Sequence, residues 1–524
     1  METAAEPPDN TPEGPGFAAP SAGVGAGRSL APGRVGVAAV TFFAVAATAP
    51  LAVLVVVVPA AYARGGGPLI PLTFVAVAIV LLLFAASYAA MVHRAPFAGA
   101  LYAYVSRGLG RPAGVAAAWL ALASYTALQL GLYGVAGVAA APLVHGWFGV
   151  EARWWMVAGA CWLIVALCGT IRIEILSGLL ALLVLAEIAV TVGFGTASVI
   201  APAGDRFGPG SILPTGASAI DRPALGLLLA VGVLAFIGFE TTGTYAEETM
   251  RPRREAGYAT YASIVVFGLV AAFASWSVSV GAAPGQVAAL ARARGPELVF
   301  DLAGARLAPW AVTTGRVVLL TALIAAALAL HNAIARYLYA LAREHLLPAP
   351  LGRVARRTSA PRTASLVQSA IGAIALAVSA LAGVGSPSAL AHRLGVAGGL
   401  GVLVLLLATA LAALLHLNRV PNGEGAWGRF LAPILSTVAL GTLCYLAFWN
   451  IPSLLGVPPD ATLVWLVPAA LSAVAGAGLV HGVALRGARP TVYAGIGQGG
   501  TAVVVTPLPQ PRKPGAHRPE RVNR

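Results

Sequence analysis

Apolar residues in this chain gather into long unbroken blocks, without the alternation of buried and wetted positions that marks a soluble helix or strand. The blocks "VGVAAVTFFAVAATAPLAVLVVVV" (residues 35–58) and "LIPLTFVAVAIVLLLFAASYAAM" (residues 69–91) each exceed the roughly 20 residues that a helix needs to cross hydrocarbon. The same reading predicts twelve spans, at residues 35–61, 69–91, 113–144, 153–171, 174–200, 224–246, 258–283, 310–342, 363–383, 394–418, 430–450 and 462–486. Residues 1–34 and 487–524 carry no such block and are expected to be cytoplasmic tails, the first of them disordered. The expected fold is all-α and integral to the membrane, with one twelve-helix domain over residues 35–486.

Composition sharpens this. Of 524 residues, 58% are hydrophobic and 10% charged, too apolar for a soluble core beneath a wetted surface. A formal charge of +14 would point to nucleic acid in a soluble protein; here it reads as loop arginines that set topology. With the N-terminus placed in the cytoplasm, 24 of the 33 basic residues fall inside and 9 outside, which fits an even number of spans with both termini inside. Lysine occurs once, at Lys513, and the arginine bias is read as that of a GC-rich bacterial genome, so the expected location is the cell membrane. The first block is too long for a signal-peptide core and no lipidation motif is seen, so no cleavage or anchor is expected. Cys161, Cys168 and Cys444 lie in apolar blocks without CxxC spacing, and no metal or cofactor is indicated.

Two spans are interrupted. Span 1 holds "AATAPL", where Pro50 lacks an N–H and leaves the Ala46 carbonyl without its helical donor. In hydrocarbon such a group costs several kcal/mol unless something satisfies it. Span 6 holds "FIGFETTGTY", where Gly238 and Gly243 bracket Glu240, Thr241 and Thr242 and let the helix open. Spans 1 and 6 each open a group of five, residues 35–200 and 224–418. Five is odd, so a repeat of five runs in opposite senses through the membrane. Interrupted spans at matching positions of two halves point to a midplane transporter site. The site expected there comprises Ala46, Ala47, Thr48, Ala49 and Pro50 with Phe236, Gly238, Phe239, Glu240 and Thr241.

Ionisable groups at this depth usually face a cavity or have a role. Glu240 lies in the span-6 break, and Glu187 falls halfway along span 5 with no polar neighbour in sequence. Both are candidate proton carriers. His331 and Asn332, deep in span 8, are read as hydrogen-bonded packing residues.

The stretch "FIGFETTGTYAEETMRPRREAGYA" resembles the span-6 pattern of the amino acid–polyamine–organocation superfamily of permeases. "AIARYLYALAREHLLPAPLGRV" (residues 333–354) and "GALYAYVSRGLGRPAGVAAAW" (residues 99–119) are similar to that family's end of span 8 and start of span 3. The resemblance implies the five-plus-five inverted-repeat fold, often called LeuT-like, with two additional C-terminal helices at about 430–486. It also implies a substrate held between spans 1 and 6. Where relatives offer a glycine-rich span-1 break for a substrate carboxylate, this chain has "AATAPL", which suits an ammonium better. A sodium site on that architecture wants a hydroxyl pair on span 8, and Thr321 is alone there, so protons are the expected driving ion. Some relatives carry a lysine near the Glu187 position; this chain's membrane region has none, which leaves Glu187 to serve.

Glu247 and Glu248 follow the span-6 break at the cytoplasmic end. Arg107, Arg336 and Arg343 are their expected partners in a cytoplasmic gate. The expected function is secondary active transport of an amino acid or related amine, with protons, by alternating access. An exchanger without net ion coupling is the nearest alternative. A polytopic enzyme is disfavoured because HExxH and GxSxG motifs are missing and the eight histidines are scattered. A transporter-like sensor is disfavoured because the tails are short.

Overall fold

The computed structural model describes residues 30–203, 222–383, 385–421, 423 and 425–499. The expectations for residues 1–29 and 500–524 lie outside the described residues. The described chain is helical, with one isolated bridge between Val35 and Thr249. Eleven of its helices are long and apolar enough to cross a membrane.

Most helix ends lie within a few residues of the apolar blocks, because a block ends where the chain must meet water. Span 1 is Val37–Ala63, span 6 Ala224–Glu248 and span 8 Pro309–Arg343. Two places differ. Span 10 begins at Pro387, seven residues before the expected start, because Ser386 caps it by accepting from the Ala389 N–H and Pro387 suits the first turn. Span 4, expected over 153–171, is the 15-residue helix Trp154–Cys168, since Gly169 and Thr170 turn the chain towards Arg172. At 1.5 Å per residue it is about 22 Å long, shorter than a typical hydrocarbon core.

The outer surface is apolar. Leu182, Leu269, Val438 and Trp465 are each more than half exposed, as residues facing lipid tails would be. Polar side chains turn inward instead. Span 8 lies at the centre, with every residue from Ala325 to Ala342 buried. Its repeated alanines let neighbouring backbones come close, as small residues do between membrane helices.

Short helices join the spans. Ala100–Leu109 is almost wholly buried between spans 2 and 3, and Val287–Arg294 and Glu297–Gly304 lie between spans 7 and 8. The chain was expected to leave the protein as a tail from residue 487. It instead turns at Arg489 into the helix Pro490–Gly495 and lies against the body of the protein.

Spans 1 and 6 run antiparallel. Arg34 and Val35 N–H groups donate to the Glu248 carbonyl (2.9 and 3.2 Å), and the Met250 N–H donates to the Val35 carbonyl (3.2 Å). These bonds tie the start of span 1 to the end of span 6. One turn inward, Phe43 stacks on Tyr245 with ring centroids 4.4 Å apart.

Candidate functional site

Span 1 breaks at Ala49, which adopts the left-handed conformation at φ 49° and ψ 69°. Pro50 explains this: it lacks an N–H, and its ring disfavours the right-handed helical region for the residue before it. A left-handed residue with a β-carbon costs about 1–2 kcal/mol, so the break holds some strain. The helix restarts when the Val53 N–H donates to the Ala49 carbonyl at 3.0 Å.

Span 6 breaks at Gly238, where φ is 127°. Two constraints require glycine at this position. The conformation disfavours side chains, and a β-carbon would lie 2.7 Å from the Ala47 carbonyl carbon and 2.8 Å from the Thr48 nitrogen. The two breaks therefore touch. All ten residues expected at the site, Ala46 to Pro50 with Phe236, Gly238, Phe239, Glu240 and Thr241, are buried.

Their polar groups are not open as expected. The Ala46 carbonyl accepts from the Ala49 N–H at 3.1 Å, a donor shared with the Val45 carbonyl at 3.2 Å. The Gly238 carbonyl accepts from the Thr241 N–H (3.2 Å) and from Thr241 Oγ1 (2.6 Å). Thr48 Oγ1 donates to the Val45 carbonyl at 2.8 Å. Buried peptide groups seek partners, and in this closed arrangement each break supplies its own.

The helix resumes after Gly238 as a 3-10 helix, Phe239–Glu248, rather than an α-helix. Its rise of about 2.0 Å per residue carries Glu247 roughly 14 Å beyond Glu240 instead of about 10 Å.

Glu240 is fully engaged. Oε2 accepts from the Gly238 N–H at 2.9 Å and Oε1 accepts from Tyr125 Oη at 2.9 Å. The carboxylate thus closes its own break and ties it to span 3. Glu187 is the opposite case. It is completely buried, and neither carboxylate oxygen has a hydrogen-bond partner. Thr191, one turn further along the same helix, also has an unpartnered hydroxyl. The backbone N–H of Leu51, immediately after Pro50, acts on the Glu187 carboxyl without a hydrogen bond, so Glu187 faces the span-1 break from span 5.

Where span 6 ends beside span 8, Arg336 meets Glu248 in a bidentate pair, with Nε–Oε2 at 2.6 Å and Nη2–Oε1 at 3.1 Å. Both side chains are buried, and the guanidinium lies 4.4 Å from the Tyr245 ring centroid. Arg343 Nη1 pairs with Glu247 Oε2 at 2.6 Å, and Glu247 Oε1 accepts from the Ala98 N–H at 3.1 Å. Arg107 does not join this group. Its Nε instead donates to the Gly497 carbonyl of the C-terminal segment at 3.2 Å.

His331 Nε2 is 2.8 Å from Ser365 Oγ, and the Asn332 side chain donates to the Leu328 carbonyl at 2.9 Å. His331 thus behaves as a packing residue, whereas Asn332 Oδ1 also accepts from Arg336 Nη1 at 3.3 Å and helps hold the guanidinium that pairs with Glu248. Tyr125, Leu51 and Ala98 had no signal in sequence, since nothing local marks a tyrosine or a backbone amide as a distant partner. Among the described residues, no three His, Cys, Asp or Glu side chains gather as a metal site.

Comparison with known proteins bears on this arrangement. The family model described as "Amino acid permease" matches residues 39–462. Proteins named as uncharacterized transporters in Mycobacterium bovis and in two strains of Mycobacterium tuberculosis are each 31% identical over 327 residues. The matched region covers 62% of this chain and 68% of each of theirs.

Proposed function

The chain belongs to the amino acid permease family of membrane transporters, and from that premise we propose that it moves an amino acid or related amine together with protons. In this reading the fold is the five-plus-five inverted repeat with two further C-terminal helices, and alternating access acts on a site between spans 1 and 6. The observation that carries the proposal is the contact of the two breaks at Gly238 and Ala47–Thr48. Breaks that met only for packing would not need to place a strained alanine, a left-handed glycine and a carboxylate at one point.

A solute enters by parting these breaks. Separation uncovers the Gly238 carbonyl and Glu240, whose present partners are Thr241 and the Gly238 N–H within span 6 and Tyr125 of span 3, and an ammonium competes with those partners for the same oxygens. The substrate thus exchanges protein–protein bonds for protein–substrate bonds, which keeps the cost of opening low. Glu187 carries the proton, because its oxygens have no bond to lose, while those of Glu240 do. Glu248–Arg336 and Glu247–Arg343 act as the inner gate.

The test is uptake into proteoliposomes under an imposed pH gradient, after a thermal-shift screen of amino acids and amines has identified a ligand. Glu187→Gln is expected to abolish accumulation while leaving counterflow intact. Accumulation by the variant equal to the native protein's would refute the assignment of Glu187.

A further inference from the structure

Residues 489–499 make a set of contacts that the transport reading does not use. After the helix Pro490–Gly495, Ile496 is buried, and Gly497 and Gly499 both take left-handed conformations at φ 76° and 75°. In that geometry their N–H groups point the same way and grip one carboxylate. Gly497 N–H donates to Glu344 Oε2 at 2.9 Å, and Gly499 N–H donates to Glu344 Oε1 at 2.8 Å. Successive amides turned in this fashion form an anion-binding nest. Glycine is needed twice over, because a β-carbon at 497 would lie 1.9 Å from Ser106 Oγ and one at 499 would lie 2.5 Å from the Phe97 ring.

The carbonyls of the same segment are held by arginines. Arg107 Nε reaches the Gly497 carbonyl at 3.2 Å, Arg111 Nη2 the Ala494 carbonyl at 3.1 Å, and Arg343 Nη2 the Gly499 carbonyl. Arg343 is the arginine that pairs with Glu247, and Glu344 is its neighbour at the end of span 8. The segment therefore bridges the helix Ala100–Leu109, the start of span 3 and the end of span 8, and shares an arginine with the end of span 6.

We propose that residues 489–499 are a strap that latches the cytoplasmic gate, with Glu344 as its socket, and that the strap must detach for the pathway to open inward. Span 6 cannot draw away from span 8 without disturbing Arg343, and the strap holds Arg343 from the other side. The latch rests on the alternating-access reading; the cover that the strap forms over Ser106 does not.

Accessibility tests the cover directly. In a background with Cys161, Cys168 and Cys444 changed to Ser, a Ser106→Cys reporter lies beneath Gly497. Its labelling by a hydrophilic maleimide is expected to be slow in the full chain. It should be about tenfold faster or more in a chain ending at Ala488, the change that about 1.4 kcal/mol of lost contact brings. Full-length Gly497→Pro, which removes the N–H and forbids the left-handed conformation, is expected to match the truncation and serves where the truncated chain fails to fold. Glu344→Gln should fall between. Initial uptake by the truncated chain should rise several-fold. Equal labelling in all variants would overturn the strap. Faster labelling with unchanged uptake would overturn the latch. Faster labelling with no amine or amino acid taken up by either chain would overturn the transport reading and leave the cover standing.

Discussion

Glu187 and Glu240 are both glutamates buried within apolar spans, yet one has no partner and the other has no oxygen to spare. The difference follows from their surroundings. Glu240 sits where the backbone is broken, so an unused N–H at Gly238 lies within reach, and Tyr125 completes the set. Glu187 sits in an intact helix whose own amides are consumed, and the Leu51 amide of the neighbouring break approaches it without a hydrogen bond. Burial of a polar group is tolerated when it is bonded and costly when it is not. A bonded carboxylate suits architecture. An unbonded one persists only if something else requires it, and a group that gains and loses a proton is such a requirement.

This comparison ranks the effects of substitution on stability. Glu248→Ala should cost most, about 3–5 kcal/mol, because it strands the buried Arg336 without its counter-charge. Thermal melting or denaturant unfolding of the purified protein reads it, and a loss near zero would mean that the pair is not buried in solution. Tyr125→Phe removes a buried hydrogen bond and leaves a Glu240 oxygen unpartnered, which should cost about 1–3 kcal/mol by the same measurement. Arg343→Ala breaks a pair whose side chains are 26% and 18% exposed, and water shares the charge there, so about 1 kcal/mol or less is expected. Glu187→Gln should leave the melting temperature unchanged or raise it, while proton-driven accumulation disappears. A destabilisation as large as that of Tyr125→Phe would erase the distinction between the two glutamates.

Much of this was readable from the residues. The long spans follow from apolar blocks, since hydrocarbon admits little else, and Pro50 and Gly238 announce the breaks because each denies the helix something specific. The pairings at the end of span 6 could also be read, because Glu247, Glu248, Arg336 and Arg343 are charges stranded at the ends of apolar helices with few partners to choose from. Other features were hidden. Tyr125 is 115 residues from Glu240, and no local pattern marks the pairing. The partner of Arg107 was hidden because the segment that binds it, "GIGQG" (residues 495–499), looks flexible by composition. The same glycines that loosen a free chain also permit the left-handed turns of a fitted one, and only the presence of Glu344 decides which applies. The open carbonyls expected at the breaks were closed for a related reason. Sequence shows which donors are lost, and not which neighbours step in.

Under the proposed transport reading, the bonding of Glu240 bears on selectivity. Its carboxylate occupies the mouth of the resumed helix and takes the Gly238 N–H, which is where an incoming acid group would otherwise dock. In the closed arrangement that N–H is already taken by the Glu240 carboxyl. If the proposed site is the transport site, an incoming acid group would have to displace Glu240 or turn elsewhere, whereas an amine would compete with Tyr125 and the Gly238 N–H for its oxygens. On that reading, one side chain two residues past a glycine would sort the two kinds of solute.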